Sequence, residues 1–454
     1  MKKQLLQDFT SGGIWGKLLR FTLPMFLANI LQLVYNTVDS IVVGRSLGNI
    51  GISAVSVGGE LTGFLTIVVM GLSGAAQIII SQNIGAGKKE QIGKTVGTLS
   101  VFLLITAAVL TTAGIVFRRA FLSVMNMPAE AFEEAASYCA VTMAGLVVVY
   151  GYNVVGGLLR GIGDSKHPLI FIIISSCCNI GLDILFVVVF RLGAFGAGLA
   201  TVLSQIICFT SALIFLRNNR DNLGFDISLS DFRIDSSILK SILKLGIPMA
   251  IRSSAVQLSK LFTNSYINSY GLIVCSVTSI GTRISSIATV VGNSFSSSGG
   301  SMIGQNIGAE KYDRVLKIII TIFAICLGAA ALFGLVLLLF PEQIFMIFTN
   351  DRNILPVAME YVPILIVMFF ANATRTSATA FINGSGNHVI NLIVALLDAL
   401  VLRVGLSLLF GLVFGMEYRG FWLGNAVTGF VPMIIAGIYL ASGKWKTRKY
   451  VVKE

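Results

Sequence analysis

Twelve long apolar stretches follow one another along this chain, and nothing else in it constrains the fold as strongly. They occupy residues 17–43, 51–80, 95–117, 132–158, 168–190, 194–216, 238–268, 272–302, 315–341, 354–382, 389–414 and 420–441. Each approaches or exceeds the roughly 20 residues a helix needs to cross a bilayer. Inside hydrocarbon every backbone N–H and C=O must be satisfied within the protein, which leaves helices for segments of this length. Apolar residues make up 55% of the 454 and charged residues only 12%, a balance foreign to soluble domains of this size. The expected fold is therefore an all-α polytopic membrane protein with twelve transmembrane helices. The basic start "MKKQ" is not followed by a short apolar core and small-residue cleavage site, so the first helix is expected to be retained.

The net charge of +12 does not point to nucleic acid, because the cations are gathered on one side. With both termini cytoplasmic, the inner segments carry about 22 Lys and Arg and the outer loops about six, as the positive-inside rule requires. That orientation, in the plasma membrane, is the expected one. All six cysteines (Cys139, Cys177, Cys178, Cys208, Cys275 and Cys326) lie in apolar spans without CxxC spacing and read as small packing residues. His167 and His388 fall in short turns, so the spans hold no histidine. A nucleophile–base pair or a metal cluster lacks its raw material, and neither enzymatic activity nor a cofactor is expected.

The chain also repeats itself. "SQNIGAGKKE" (81–90) returns 223 residues later as "GQNIGAEKYD", "LLRFTLPM" (18–25) returns as "ILKLGIPM" (242–249), and "RGIGDSKH" (160–167) is echoed by "NGSGNHVI" (383–390). Self-similarity over such a period marks duplicated structural units. Six spans per unit return the chain to the same side, so the expected arrangement is two six-helix bundles related by a pseudo-two-fold axis along the membrane normal, a plan used by some secondary transporters. The expected division is an N-terminal bundle over 1–216, a cytoplasmic linker over 217–237, and a C-terminal bundle with a basic tail over 238–454. "ILKSILKLGIP" after the linker has apolar residues at helical spacing and is expected to lie on the membrane surface before span 7. "QNIGAGKK" reads as a tight interhelical turn, since no strand precedes its glycines and no Ser or Thr follows its lysine.

Carboxylates at membrane depth are the functional signal, because an ionised acid in hydrocarbon costs at least about 2.5 kcal/mol. Span 1 leaves the membrane near Ser46, which puts Asp39 about 10 Å below the outer surface at the helical rise. Asp183 of span 5 lies at a similar depth, with Asn179 one turn deeper on the same face. Span 6, running inward, brings Thr201 to that level, and Gln32, Tyr35 or Asn36, and Asp39 form one stripe of span 1. Two acids without an Arg or Lys at depth in that half call for a proton or a bound cation. Glu60 of span 2 is a candidate third acid.

These residues carry a resemblance. "LPMFLANILQLVYNTVDSIVVGRSLG", "QNIGAGK", "LRGIGDSKHP", the "NIGLD" of span 5 and "GAGLAT" are together similar to the multidrug and toxic compound extrusion (MATE) family of antiporters, in its DinF-like and prokaryotic branches, over essentially the whole chain. The resemblance implies export of a small organic compound driven by H⁺ or Na⁺. Carried over by residue, it places the cation site on Gln32, Asp39, Asn179, Asp183 and Thr201, and the bend of helix 1 on Pro24. No metal beyond Na⁺ at that site is implied, and the chain is expected to act as a monomer in the bilayer on a small-molecule substrate.

The second half departs from the first. Its spans 7 and 10 carry no deep acids, and it is expected to bury Arg252, Lys260, Arg283, Arg375 and Arg403 against one deep acid, Asp398. With Tyr35, Asn36 and Glu60 these basic residues are the candidates for the substrate path. An exporter of amphipathic compounds is the leading expectation, and a flippase for a lipid-linked or anionic precursor is the alternative.

Overall fold

The computed structural model describes residues 5–447 and contains helices but no β-strand among them. The basic "MKKQ" and Arg448 and Lys449 of the basic tail lie outside the described residues. The helices are α1 (Ile14–Gly85), α2 (Glu90–Val124), α3 (Ala129–Ala144), α4 (Leu146–Gly161), α5 (Lys166–Asp183), α6 (Gly193–Asn218), α7 (Ser236–Asn268), α8 (Leu272–Gly308), α9 (Tyr312–Leu339), α10 (Pro341–Met346), α11 (Leu355–Gly384), α12 (His388–Leu396), α13 (Arg403–Leu408), α14 (Glu417–Val427) and α15 (Val431–Ala441). Nine described segments are long and apolar enough to cross a membrane, and α3 with α4, bent by 45°, makes a tenth.

The twelve passes follow from these. At 72 residues α1 is long enough for two, and Gly48, at φ 62°, interrupts its helical backbone between them. A residue without Cβ takes that left-handed conformation at little cost. The remaining pass is α7, which carries Arg252 and Lys260 amid its apolar residues. Its first turns correct one expectation. Residues 236–247 are not a separate surface helix but the start of one continuous helix that runs through Pro248. Ile238, Ile242 and Leu245, at i, i+4 and i+7, are at most 1% exposed, so this stripe is buried in protein instead of facing lipid.

The described residues form two compact units, one of residues 5–8 with Arg20–Gly246, the other of Phe9–Leu19 with residues 247–447. In the first, the linker lies across the start of α2. Thr98 donates to the Arg233 carbonyl and accepts from the Asp235 N–H. A Cβ on Gly97 would sit 2.0 Å from the Asp231 carbonyl oxygen, so only glycine permits this approach. Asp235 then caps α7, accepting from the N–H groups of Ser237 and Ile238 at 2.9 and 3.1 Å. The Ile238 N–H above all holds its carboxyl below the usual carboxylate range.

In the second unit, the amino-terminal residues are clasped by the repeated turn. The Gln305 side chain accepts from the Phe9 N–H, and Asn306 donates to the Phe9 carbonyl. Arg314 donates to the carbonyls of Phe9, Ser11 and Gly12 at 3.0–3.2 Å. Phe9 and Leu18 are fully buried. The turn itself closes in both copies, with the Lys88 N–H on the Asn83 carbonyl and the Lys311 N–H on the Asn306 carbonyl.

The repeat persists in backbone detail. Asp164 caps α5 by accepting from Lys166 and His167, as Asn387 does from Val389 and Ile390. Past spans 5 and 11, Arg191 and Gly193 have positive φ, as do Gly415 and Glu417. Phe190 donates to the Leu185 carbonyl and Phe414 to that of Leu409. Asp164 thus corresponds to Asn387 but Phe190 to Phe414, so the second copy has gained one residue in between. Span 5 ends in one π-helical turn, Ile184–Val189, whereas span 11 contains two, Leu397–Leu402 and Leu409–Val413. A π turn accommodates one additional residue within a helix, and Leu397–Leu402 is where the second copy holds it. Of the cysteines, Cys139, Cys208 and Cys326 are buried, while Cys177 faces outward rather than filling a core.

Candidate functional site

In the first unit, α1 and α5 bring two acids together. Asp183, the last residue of α5, is fully buried, Asp39 on α1 is half-buried, and their carboxyl groups are within hydrogen-bonding reach of each other. Among the described residues, no donor reaches either Asp183 oxygen or Asp39 Oδ1. Two unit charges 4 Å apart repel by roughly 4 kcal/mol at an effective dielectric of 20, a cost that a cation beside such a pair lowers. A shared proton also relieves the repulsion.

Asn179, one turn along α5, is 1% exposed, and neither end of its amide has a partner among the described residues. Thr201 is half-buried on α6, which packs along α5. Asp39, Asp183, Asn179 and Thr201 each carry oxygen of the kind hard cations take. Tyr35 lies near both acids. Tyr138 of α3 joins the group, close to Asp39, Tyr35 and Asp183 and only 7% exposed. Sequence reading missed it, although six residues from the start of the apolar stretch at 132 put it about 9 Å into the span by the helical rise, close to the depth of Asp39. A Cβ on Gly58 would stand 2.7 Å from the Tyr138 ring, so that glycine makes room for the phenol.

Other candidates are placed differently. Gln32 and Asn36 are exposed on α1, and Glu60 is exposed as well. Pro24 lies inside α1 with helical neighbours, and the helix is interrupted at Gly48.

The second unit holds a basic cluster, with one correction. Arg283 is exposed on α8 and is not one of the buried cations. The remaining four gather around one acid. Arg375 Nη2 lies 2.7 Å from Asp398 Oδ1, and Arg403 Nη2 lies 3.3 Å from the same oxygen. Arg403 also donates to Asn425 Oδ1, and Arg252 reaches Asn391 Oδ1 at 3.4 Å. Lys260 is half-buried close to Arg403 and Arg375. Asp398 sits in the additional π turn of span 11.

The same architecture occurs in known proteins. The MatE family model matches residues 24–185 and again 248–409, reproducing the internal repeat. The chain is 26% identical over 436 residues to "Probable multidrug resistance protein YoeA" of Bacillus subtilis, covering 94% of each. It is 23% identical over 445 residues to "Probable multidrug resistance protein NorM" of Thermotoga maritima, covering 96% of this chain and 94% of that protein. A solved structure described as the outward-facing conformation of a multidrug resistance MATE family transporter superposes with a TM-score of 0.90 at 24% identity, over 99% of this chain and 100% of that one. Neither the geometry nor these matches supports the flippase alternative. With a duplicated family match and a twelve-span helical fold, the chain belongs to the MatE family of membrane transporters.

Proposed function

We propose that this chain exports small amphipathic organic compounds in exchange for H⁺ or Na⁺, by alternating access, from the plasma membrane with both termini in the cytoplasm and as a monomer. The juxtaposed Asp39 and Asp183 carry this reading, since their repulsion makes the first unit a receptor for one positive charge. A proton needs one of the two carboxyl groups, and Na⁺ would use oxygens of Asp39, Asp183, Asn179 and Thr201, so the two ions compete. Charge neutralisation changes the packing of α1 against α5, which is the differential affinity a ligand needs to shift a conformational equilibrium. The names of the curated relatives, probable multidrug resistance proteins, support a broad range of organic substrates.

Purified protein in proteoliposomes, with pH and Na⁺ gradients imposed separately, tests this with cationic and anionic dyes. Dye accumulation driven by either gradient is expected. Transport indifferent to both would overturn the coupling.

A further inference from the structure

The duplication allows the two units to be read against each other, residue for residue. Through the paired family matches and the paired turns, Asp39 corresponds to Thr263, Asp183 to Ser407, Asn179 to Arg403 and Thr201 to Asn425. Both acids of the first unit have thus become hydroxyls. The position of the unpartnered amide carries a guanidinium instead. That guanidinium donates to Asn425, the counterpart of Thr201. Where the first unit can take up a cation from solution, the second holds one covalently, on a side chain only 3% exposed.

The charges around Arg403 do not balance. Asp398 accepts from both Arg375 and Arg403, and one carboxylate cannot neutralise two guanidinium groups. Its second oxygen and the Arg403 Nε, both buried, have no partner among the described residues. Lys260, the counterpart of Asn36, adds an ammonium beside the two arginines, and no described carboxylate pairs with it. Arg252 reaches only the neutral Asn391. Four cations against one acid, at mid-helix positions of bilayer-spanning segments, is a costly arrangement unless an anion shares the space. Arg252, Lys260 and Arg375 are half-buried, so such an anion has a route to them. Planar guanidinium groups and a flexible ammonium suit a carboxylate, sulfonate or phosphate.

We propose that Arg252, Lys260, Arg375 and Arg403 of the second unit form a binding site for the anionic group of a transported organic compound, and that Asp398 positions two of them. This rests on the export reading only in treating the anion as cargo. The site itself is a claim about equilibrium binding. It divides the labour between the two copies, with the driving ion held by acids in the first and the acidic substrate held by bases in the second.

Fluorescence anisotropy on protein in phosphatidylcholine nanodiscs tests it, with carboxyfluorescein as the anionic probe and ethidium as the cationic one. Lys260→Gln and Arg252→Gln, which leave the Arg375–Asp398 pair intact, are expected to weaken carboxyfluorescein binding by at least about tenfold, the scale of a charge-assisted hydrogen bond, with ethidium unchanged. Lys260→Arg should restore most of the loss, and size-exclusion profiles will show whether each variant is folded. Wild-type protein that does not bind carboxyfluorescein, or variants that lose both dyes equally, would overturn the proposal. Displacement of the dye by phosphatidylglycerol added to the discs would assign the site to a lipid headgroup and overturn the cargo assignment. Because no gradient is applied, failure of ion coupling would leave this result unchanged, and loss of anion binding would leave the coupling result unchanged.

Discussion

Asp398, in the π turn of span 11, accepts from Arg375 of α11 at 2.7 Å. Asp398 is 1% exposed and also faces Arg403, so its single charge is shared between two guanidinium groups. Asp398→Asn is expected to lower unfolding stability by about 3 kcal/mol or more, the cost of stranding a buried ion. A shift of the thermal unfolding midpoint in detergent measures it. Arg283→Gln, on an exposed side chain, should move that midpoint hardly at all, and an equal shift for the two would refute the placement of the charge.

Asp39→Asn removes the negative charge that ion binding would neutralise, and so should abolish gradient-driven export while leaving dye binding measurable. Asp183→Asn is expected to behave alike, because the two carboxyl groups act as one pair. Thr201→Ala, which deletes an oxygen ligand but no titrating group, should weaken Na⁺-driven transport more than H⁺-driven transport. Export by Asp39→Asn at wild-type rate under either gradient would show that the acid is structural.

Asp235 gives a pH dependence whose sign is fixed. Its carboxyl is held below its ordinary value by N–H groups of α7, so the stabilisation is present above the unfolded pKa near 4 and is lost as pH falls through the lower folded value. Asp235→Ala should therefore cost about 1 kcal/mol at neutral pH, the usual worth of an N-cap. Unfolding followed as the solution is acidified should show wild type and variant converging.

Lys89 and Glu310 mark the tips of the two repeated turns and are exposed. Cysteines placed there one at a time, in a background lacking the six native cysteines, should both react with an impermeant maleimide only from the cytoplasmic side. Labelling from opposite faces would refute two copies of equal orientation.

The spans were legible because bilayer thickness leaves few alternatives, and the boundaries at Asn268 and Leu272 or Gly384 and His388 fall within a few residues of those read from the sequence. Asp39 and Asp183 were legible for a similar reason, since depth along two helices of known direction is simple arithmetic. Arg283 was misplaced because membrane depth says nothing about which face of a helix a residue occupies. The start of α7 was misread because an apolar stripe looks the same whether protein or lipid covers it. The π turn holding Asp398 has no compositional signature, and in sequence it is only a one-residue slip between two copies.

The clasp on residues 9–12 bears on how this duplication can be taken apart. Cutting the chain in the linker would separate the two copies of the repeat, yet it would not yield two self-sufficient halves. The carboxy-terminal fragment would lack Phe9–Leu19, with an empty groove where Phe9 and Leu18 are buried and with Arg314 and Gln305 deprived of the backbone groups they bind. The amino-terminal fragment would carry that peptide as an exposed apolar arm. The arrangement resembles a domain swap within a single chain. A split version of the protein should reassemble only when both fragments are made together, and adding residues 9–19 in front of a second fragment that begins at Ile247 is the alteration that would make it stand alone.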